Sequence, residues 1–198
     1  LVLDEDACWA AGPGLVWDDL PARVEAVIAA RMARLDEGLY DILSVASVQG
    51  ERFDAEVIAR VEGLPEREVL HALAQDLERR HRLVREQGAR QIGDRFLSPY
   101  RFAHNLFRHY VYGALSAGER RLLHREVGRA LEALYGTAAE EKPAELAFHY
   151  AEAGVPEKAV HYLVRTGHGA RARYASHEAI RHYDLALSFL PEGDARRF

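Results

Sequence analysis

The amino-acid sequence predicts a mainly α fold with one extended region near its middle. Three observations carry that expectation. Apolar residues recur at spacings of three and four over most of residues 20–190, the period of a buried helix face. Between 83 and 102 the period gives way to alternation, and then it returns. Glycine and proline sit at the joints. Gly50, Gly63, Gly136 and Gly154 close periodic runs, and Pro21, Pro65 and Pro156 open them, where a missing N–H is tolerated. A chain of 198 residues with 48% hydrophobic residues is enough for one domain, or two small ones, with a buried core.

Residues 1–19 have no helical period and carry Gly12, Pro13 and Gly14; they read as a connector anchored by Trp9 and Trp17. Leu20, Val24, Val27, Ile28, Met32 and Leu35 form the face of a first helix, which Gly38 breaks or loosens. Leu39, Ile42, Leu43, Val45, Ala46 and Val48 mark a second, ending near Gly50. Asp54 suits the N-cap of a short third helix with Val57, Ile58 and Val61, stopped by Gly63. A fourth turns Val69, Leu70, Leu73 and Leu77 inward. Leu83 and Val84 then begin an extended run, 88–93 looks like a turn, and 95–102 alternates again with Pro99 interrupting. Two short extended runs around a glycine-containing loop read as a β-hairpin. Three helices followed by a hairpin is the order of a winged-helix module.

Beyond Ala103 the pattern is helical. Leu106, Phe107, Tyr110 and Val111 share one face. Ser116 with Glu119 is a capping box for a helix bearing Leu122, Leu123, Val127, Ala130, Leu131 and Leu134. A polar linker spans 137–142, and three helical stretches follow: Leu146 to Tyr150, then 156–174, then 176–190. In the last two, Leu163, Gly167, Ala170, Ala179, Tyr183, Ala186 and Pro191 fall at relative offsets of 0, 4, 7, 16, 20, 23 and 28. That is the small/large pattern of a tetratricopeptide unit. Gly167 and Ala179 let two antiparallel helices approach, while Leu163 and Tyr183 fill the space beside them. The preceding pair does not repeat this register at 34 residues, so the sequence shows one clear repeat and one degenerate helix before it.

Composition removes several function classes. The net charge of -5 argues against a strongly basic nucleic-acid binder. No uncharged apolar stretch approaches the ~18 residues of a membrane span. Cys8 is the single cysteine, which excludes an internal disulfide framework and points to a reducing cytoplasm. There is no G-x-x-x-x-G-K-[ST] phosphate loop, and Gly167-His168-Gly169 lies inside a helix. His177 with His182, and His104 with His109, are five apart, which turns the rings roughly 140° from each other on a helix, so they do not share one metal ion easily. The histidines are therefore expected to be exposed or partly packed. No serine stands in a G-x-S-x-G elbow. No catalytic residue, metal ligand or cofactor is expected in this chain.

The winged-helix order raises DNA binding as the alternative. Across 66–82, Glu66, Glu68, Asp76 and Glu78 balance Arg67, Arg79, Arg80 and Arg82. A helix entering the major groove normally brings net positive charge. The arginines continue through Arg85, Arg90, Arg95 and Arg101, and could grip phosphates or an acidic protein surface.

Four stretches carry a family resemblance. They are 20–28 (Leu-Pro-Ala-Arg-Val-Glu-Ala-Val-Ile), 45–53 (Val-Ala-Ser-Val-Gln-Gly-Glu-Arg-Phe), 100–107 (Tyr-Arg-Phe-Ala-His-Asn-Leu-Phe) and 123–132 (Leu-His-Arg-Glu-Val-Gly-Arg-Ala-Leu-Glu). Together they resemble the region between the nucleotide-binding module and the repeats of bacterial STAND-class signal-transduction ATPases. Those with adenylate/guanylate cyclase or transcriptional-activator domains are the most similar. The resemblance implies a connector and linking helix over 1–36, a winged-helix-like domain over 37–103, a helical spacer over 104–140 and the start of a tetratricopeptide-like array over 141–198. It also implies that an ATPase module precedes this segment and further repeats follow. No ATP-binding residue is carried over, because the ATPase core is not in this sequence. The segment is expected to be non-catalytic, relaying between a nucleotide switch and a repeat-built sensor surface. Interaction residues are expected at Arg79, Arg80 and Arg90, at Tyr150, Tyr162, Tyr174 and Tyr183, and at Ile180 and Leu187. An open last repeat is expected to pair with a second copy. The tyrosines have a competing reading as core, since several fall on packing positions of the repeat.

Overall fold

The computed structural model of the chain describes residues 2–3, 9–10, 22–92, 95–136, 139, 142–191 and 194. Most of the expected 1–19 connector lies outside the described residues, as do Pro21, Gly93 and most of the 137–142 linker. Within the connector, β1 (Val2–Leu3) pairs antiparallel with β2 (Trp9–Ala10). The described chain is mainly α and forms two compact units, Leu1–Ala117 and Gly118–Phe198.

In the first unit α1 (Ala22–Met32) buries Ile28 and Met32, while Val27, expected on that face, is exposed. The break after α1 comes before Gly38 rather than at it. Asp36 caps α2 (Glu37–Gln49), its Oδ1 accepting from the Leu39 N–H at 2.9 Å, so Gly38 falls inside the first turn. Leu39 and every residue from 42 to 48 are buried, which makes α2 the centre of the unit. It is covered by α3 (Ala55–Glu62) and by α5 (Asn105–Ala114), which also packs on α1.

Between α2 and α3 the chain forms a strand the sequence reading did not contain, β3 (Arg52–Asp54). Phe53 is the reason it holds. Its ring packs 6.2 Å from Tyr100 and 5.3 Å from Phe102, both on β7 (Pro99–Phe102). β3 and β4 (Val84–Glu86) flank β7 in a three-stranded antiparallel sheet, with Phe53 opposite Tyr100 and Val84 opposite Phe102. The expected turn at 88–93 is not one turn. β5 (Arg90–Ile92) pairs with β6 (Arg95–Leu97) as a separate ribbon beyond that sheet. Pro99 takes the first position of β7, where its missing N–H does little harm. Asp54 stands at the N-cap of α3 but makes no side-chain cap; its carboxylate pairs instead with Arg90 at 2.7 Å. α4 (Glu66–His71) buries Val69, then widens at Ala72 into a π-helical segment running to Arg80 that buries Leu73 and Leu77.

The 104–140 stretch does not form a spacer of its own: α5 belongs to the first unit and α6 (Ala117–Tyr135) to the second. α6 turns His124, Val127, Gly128, Leu131 and Leu134 inward, leaving the expected core residue Leu122 exposed. α7 (Pro143–Glu152), α8 (Pro156–Ala172) and α9 (Ser176–Ser188) follow, each packed on the next.

Two glycine–tyrosine contacts recur in this unit. Tyr150 of α7 lies over Gly128 of α6, where an added Cβ would meet the ring at 3.1 Å. Tyr183 of α9 lies over Gly167 of α8, where a Cβ would overlap the ring, 2.8 Å from Cδ1 and Cζ. The first pair is separated by six more residues of chain than the second, because the connection from α6 to α7 is longer. That insertion hides the similarity of the two hairpins from a fixed 34-residue register.

Candidate functional site

Beside the Gly167–Tyr183 contact, α8 and α9 border an open groove of about 810 Å³. Its apolar lining comes from Val160 and Val164 of α8 and from Ala186, Leu187 and Leu190 on the α9 side. Glu157, His161, Arg165 and His168 also line it, recurring along one face of α8. The Tyr183 ring packs edge-on to His168 at 5.8 Å. Its hydroxyl is shielded from solvent and has no hydrogen-bond partner among the described residues. An orphaned buried hydroxyl costs about 1–3 kcal/mol.

The four tyrosines expected on one surface separate into three environments. Tyr183 lines the groove, and Tyr174 is 94% exposed at the turn after α8, with a left-handed φ of 61°. Tyr150 and Tyr162 are buried, which corrects their assignment to a contact surface. Their rings stack 5.9 Å apart, nearly parallel at 7°, and both hydroxyls donate to Glu132 of α6, at 2.6 and 2.7 Å. The Lys158 ammonium donates to the same carboxylate and sits 4.8 Å over the Tyr150 ring. Burial alone would raise the Glu132 carboxyl, but the hydrogen bonds from Lys158, Tyr150 and Tyr162 outweigh it and hold the group below its ordinary range. Burial, and then the bond to Glu132, push the Tyr150 phenol up. This knot ties α6, α7 and α8 together and is structural. Leu187 lines the groove, while Ile180 is exposed on α9 outside its lining.

A second buried pair escaped the sequence reading. His124 of α6 and His149 of α7 are both 1% exposed, with their Nδ1 atoms 3.0 Å apart. They correct the expectation that the histidines are exposed or partly packed. One ring must present Nδ1–H and the other its lone pair, so the two cannot both be charged. Burial, and then the neighbouring His124, push His149 down to about 3. Spacing along a single helix cannot reveal this pair, which is 25 residues apart on two helices.

No protein-family model, curated protein or solved structure matches this chain. The site must therefore be read from its own chemistry. Among the described residues no group of three or more His, Cys, Asp or Glu side chains is placed to hold a metal, and no helix is long and apolar enough to cross a membrane. In the first unit Arg79 is exposed and donates to Gln75 at 3.0 Å, and Arg80 lies 3.9 Å from Asp76. Arg90, expected on an interaction surface, is partly exposed and pairs with the buried Asp54 carboxylate at 2.7 Å. The groove on α8 and α9 offers apolar side chains beside one arginine, Arg165, the imidazoles of His161 and His168, and one acid, Glu157, at the start of α8. These suit an amphipathic partner that brings a carboxylate.

Proposed function

We propose that this chain is a non-catalytic regulatory and protein-interaction segment of a multidomain signalling ATPase of the STAND class. The α8–α9 groove takes an amphipathic helical segment carrying acidic side chains. The observation that carries this reading is the groove itself, where an apolar lining stands beside His161, Arg165 and His168, with Glu157 apart from them at the start of α8. The wider assignment draws support from the order helix–strand–helix–helix–strand in the first unit, which is that of a winged helix. The paired glycine–tyrosine hairpins of the second are what tetratricopeptide packing requires. Partners of the acidic, amphipathic class dock by laying apolar side chains at helical spacing into such a groove.

The test is fluorescence anisotropy with a labelled amphipathic peptide bearing leucines at i, i+4 and i+7 and glutamates beside them, and with its lysine counterpart. The glutamate peptide should bind about tenfold more tightly than the lysine peptide. Leu187→Arg should abolish binding of both. Equal binding of the two peptides, or binding untouched by Leu187→Arg, would reject the groove. Micromolar ATP binding by this chain would reject its assignment as non-catalytic. Light scattering that shows a dimer sensitive to Leu187→Arg would place a second copy in the groove instead of a partner. The DNA-binding reading is weakened by the tie between Arg90 and Asp54.

A further inference from the structure

The end of the π-helical segment and the end of α1 enclose a cavity of about 160 Å³ lined by Arg31, Arg34, Arg80, His81, Arg82 and Leu83. Four arginines line one small space, and none of the lining residues is acidic. Like charges gathered this way repel one another. Arg80 has only a loose neighbour in Asp76 at 3.9 Å, with three quarters of its side chain exposed.

Backbone geometry delivers these arginines at a cost. The π-helical segment ends in wide bonds, His81 N–H to the Asp76 carbonyl and Leu83 N–H to the Leu77 carbonyl, both at 2.8 Å. The residue that closes such a turn adopts a left-handed conformation and is usually glycine. Here it is Arg82, with φ at 54°. Strained backbone and π-helical turns both gather at functional sites. Arg31 is set in advance: its Nη2 donates to the His81 carbonyl at 2.6 Å and its guanidinium lies 4.7 Å over the Phe107 ring. A side chain already fixed loses little freedom when a ligand arrives.

We infer that this cavity is a binding site for a small phosphoryl oxyanion, inorganic phosphate or diphosphate. Planar guanidinium forks match the oxygens of such a group bidentately. A volume near 160 Å³ equals roughly five waters, room for one or two phosphoryl groups. Leu83 is the single apolar lining residue, and the small volume leaves no room for a nucleoside beside the phosphoryl groups. The cavity belongs to the first unit and is independent of the α8–α9 groove.

The test is isothermal titration of the whole chain with phosphate, then diphosphate, at constant ionic strength. Diphosphate should bind saturably and more tightly than phosphate. Arg34→Ala and Arg82→Gly should each weaken it about tenfold, while Arg67→Ala, an exposed arginine on α4 that does not line the cavity, should leave it unchanged. Arg82→Gly relieves the left-handed strain, so its thermal midpoint without anion should hold or rise. That separates loss of binding from loss of fold. No saturable heat at millimolar diphosphate would overturn the site, and so would equal weakening by Arg67→Ala. A short DNA duplex that displaces diphosphate and needs the same arginines would overturn the assignment to a small anion.

Discussion

A glycine inside a helix costs about 1 kcal/mol relative to alanine, so each needs a reason. At Gly128 and Gly167 the reason is a tyrosine ring lying where a side chain would go. The two differ in degree. At Gly128 the ring would have to give by a few tenths of an ångström, and the helical gain from alanine nearly offsets that, so Gly128→Ala should change stability by less than about 1 kcal/mol. At Gly167 the overlap is outright, and Gly167→Ala should destabilise by about 1–3 kcal/mol despite the gain in propensity. Urea unfolding of both variants decides the order. A larger loss at Gly128 would mean that ring contact is not what selects glycine. Tyr183→Leu should cost less in the Gly167→Ala background than in the parent, because it removes the atoms that clash.

At the scale of elements, the same comparison separates structural arginines from surface ones. Arg90 on β5 neutralises a buried carboxylate at the start of α3, whereas Arg79 on the π-helical segment bonds only to Gln75 at an exposed site. Arg90→Ala should therefore cost about 1–3 kcal/mol and Arg79→Ala less than about 0.5 kcal/mol, measured by denaturant titration side by side. If the two cost the same, the Asp54 pair contributes nothing net. From the sequence these arginines looked alike, because what distinguishes them is a partner 36 residues away. The elements that were legible are those whose period is local: α2 with its run from Leu39 to Val48, and the α8–α9 hairpin with Gly167 opposite Tyr183. β3 was not legible, since three residues are too few to show alternation and Phe53 is held by rings on β7. Nor was the split of the hairpin, which follows from β4 and β5 choosing different partners. In the candidate site, Tyr183 was legible from repeat spacing and Leu187 from the uncovered face of the last repeat helix. His161, Arg165 and His168 were not, because polar residues at helical spacing look the same whether they face solvent or a groove.

For the whole molecule, the titrating groups divide unequally between the two units. In the second unit His149 and Glu132 are both pushed down, His149 by burial and Glu132 by its hydrogen bonds. A group pushed down in the folded state binds its proton more readily when unfolded, so its stabilisation is complete above its unfolded pKa and is lost as pH falls. For His149 the loss begins below the unfolded value near 6.5 and continues toward about 3; for Glu132 it begins below the unfolded value near 4.5. Both act in one direction. In the first unit the signs are mixed. Burial pushes His104 down, and burial with Arg108 does the same to His109; burial pushes Asp41 and Glu62 up, and these carboxyls gain stability as pH falls. Acid should therefore melt the second unit first. Between pH 7 and pH 5 the His149 contribution alone amounts to about 2 kcal/mol. Amide hydrogen exchange, corrected for intrinsic rate, should show protection in α6–α9 falling at pH 5 while α2 and the β3–β7–β4 sheet hold. His149→Phe should flatten that dependence even if it lowers stability at pH 7, because an uncharged ring has no proton to take up. Protection lost first in α2, or an acid slope unchanged in His149→Phe, would show that the histidine pair does not govern the acid response.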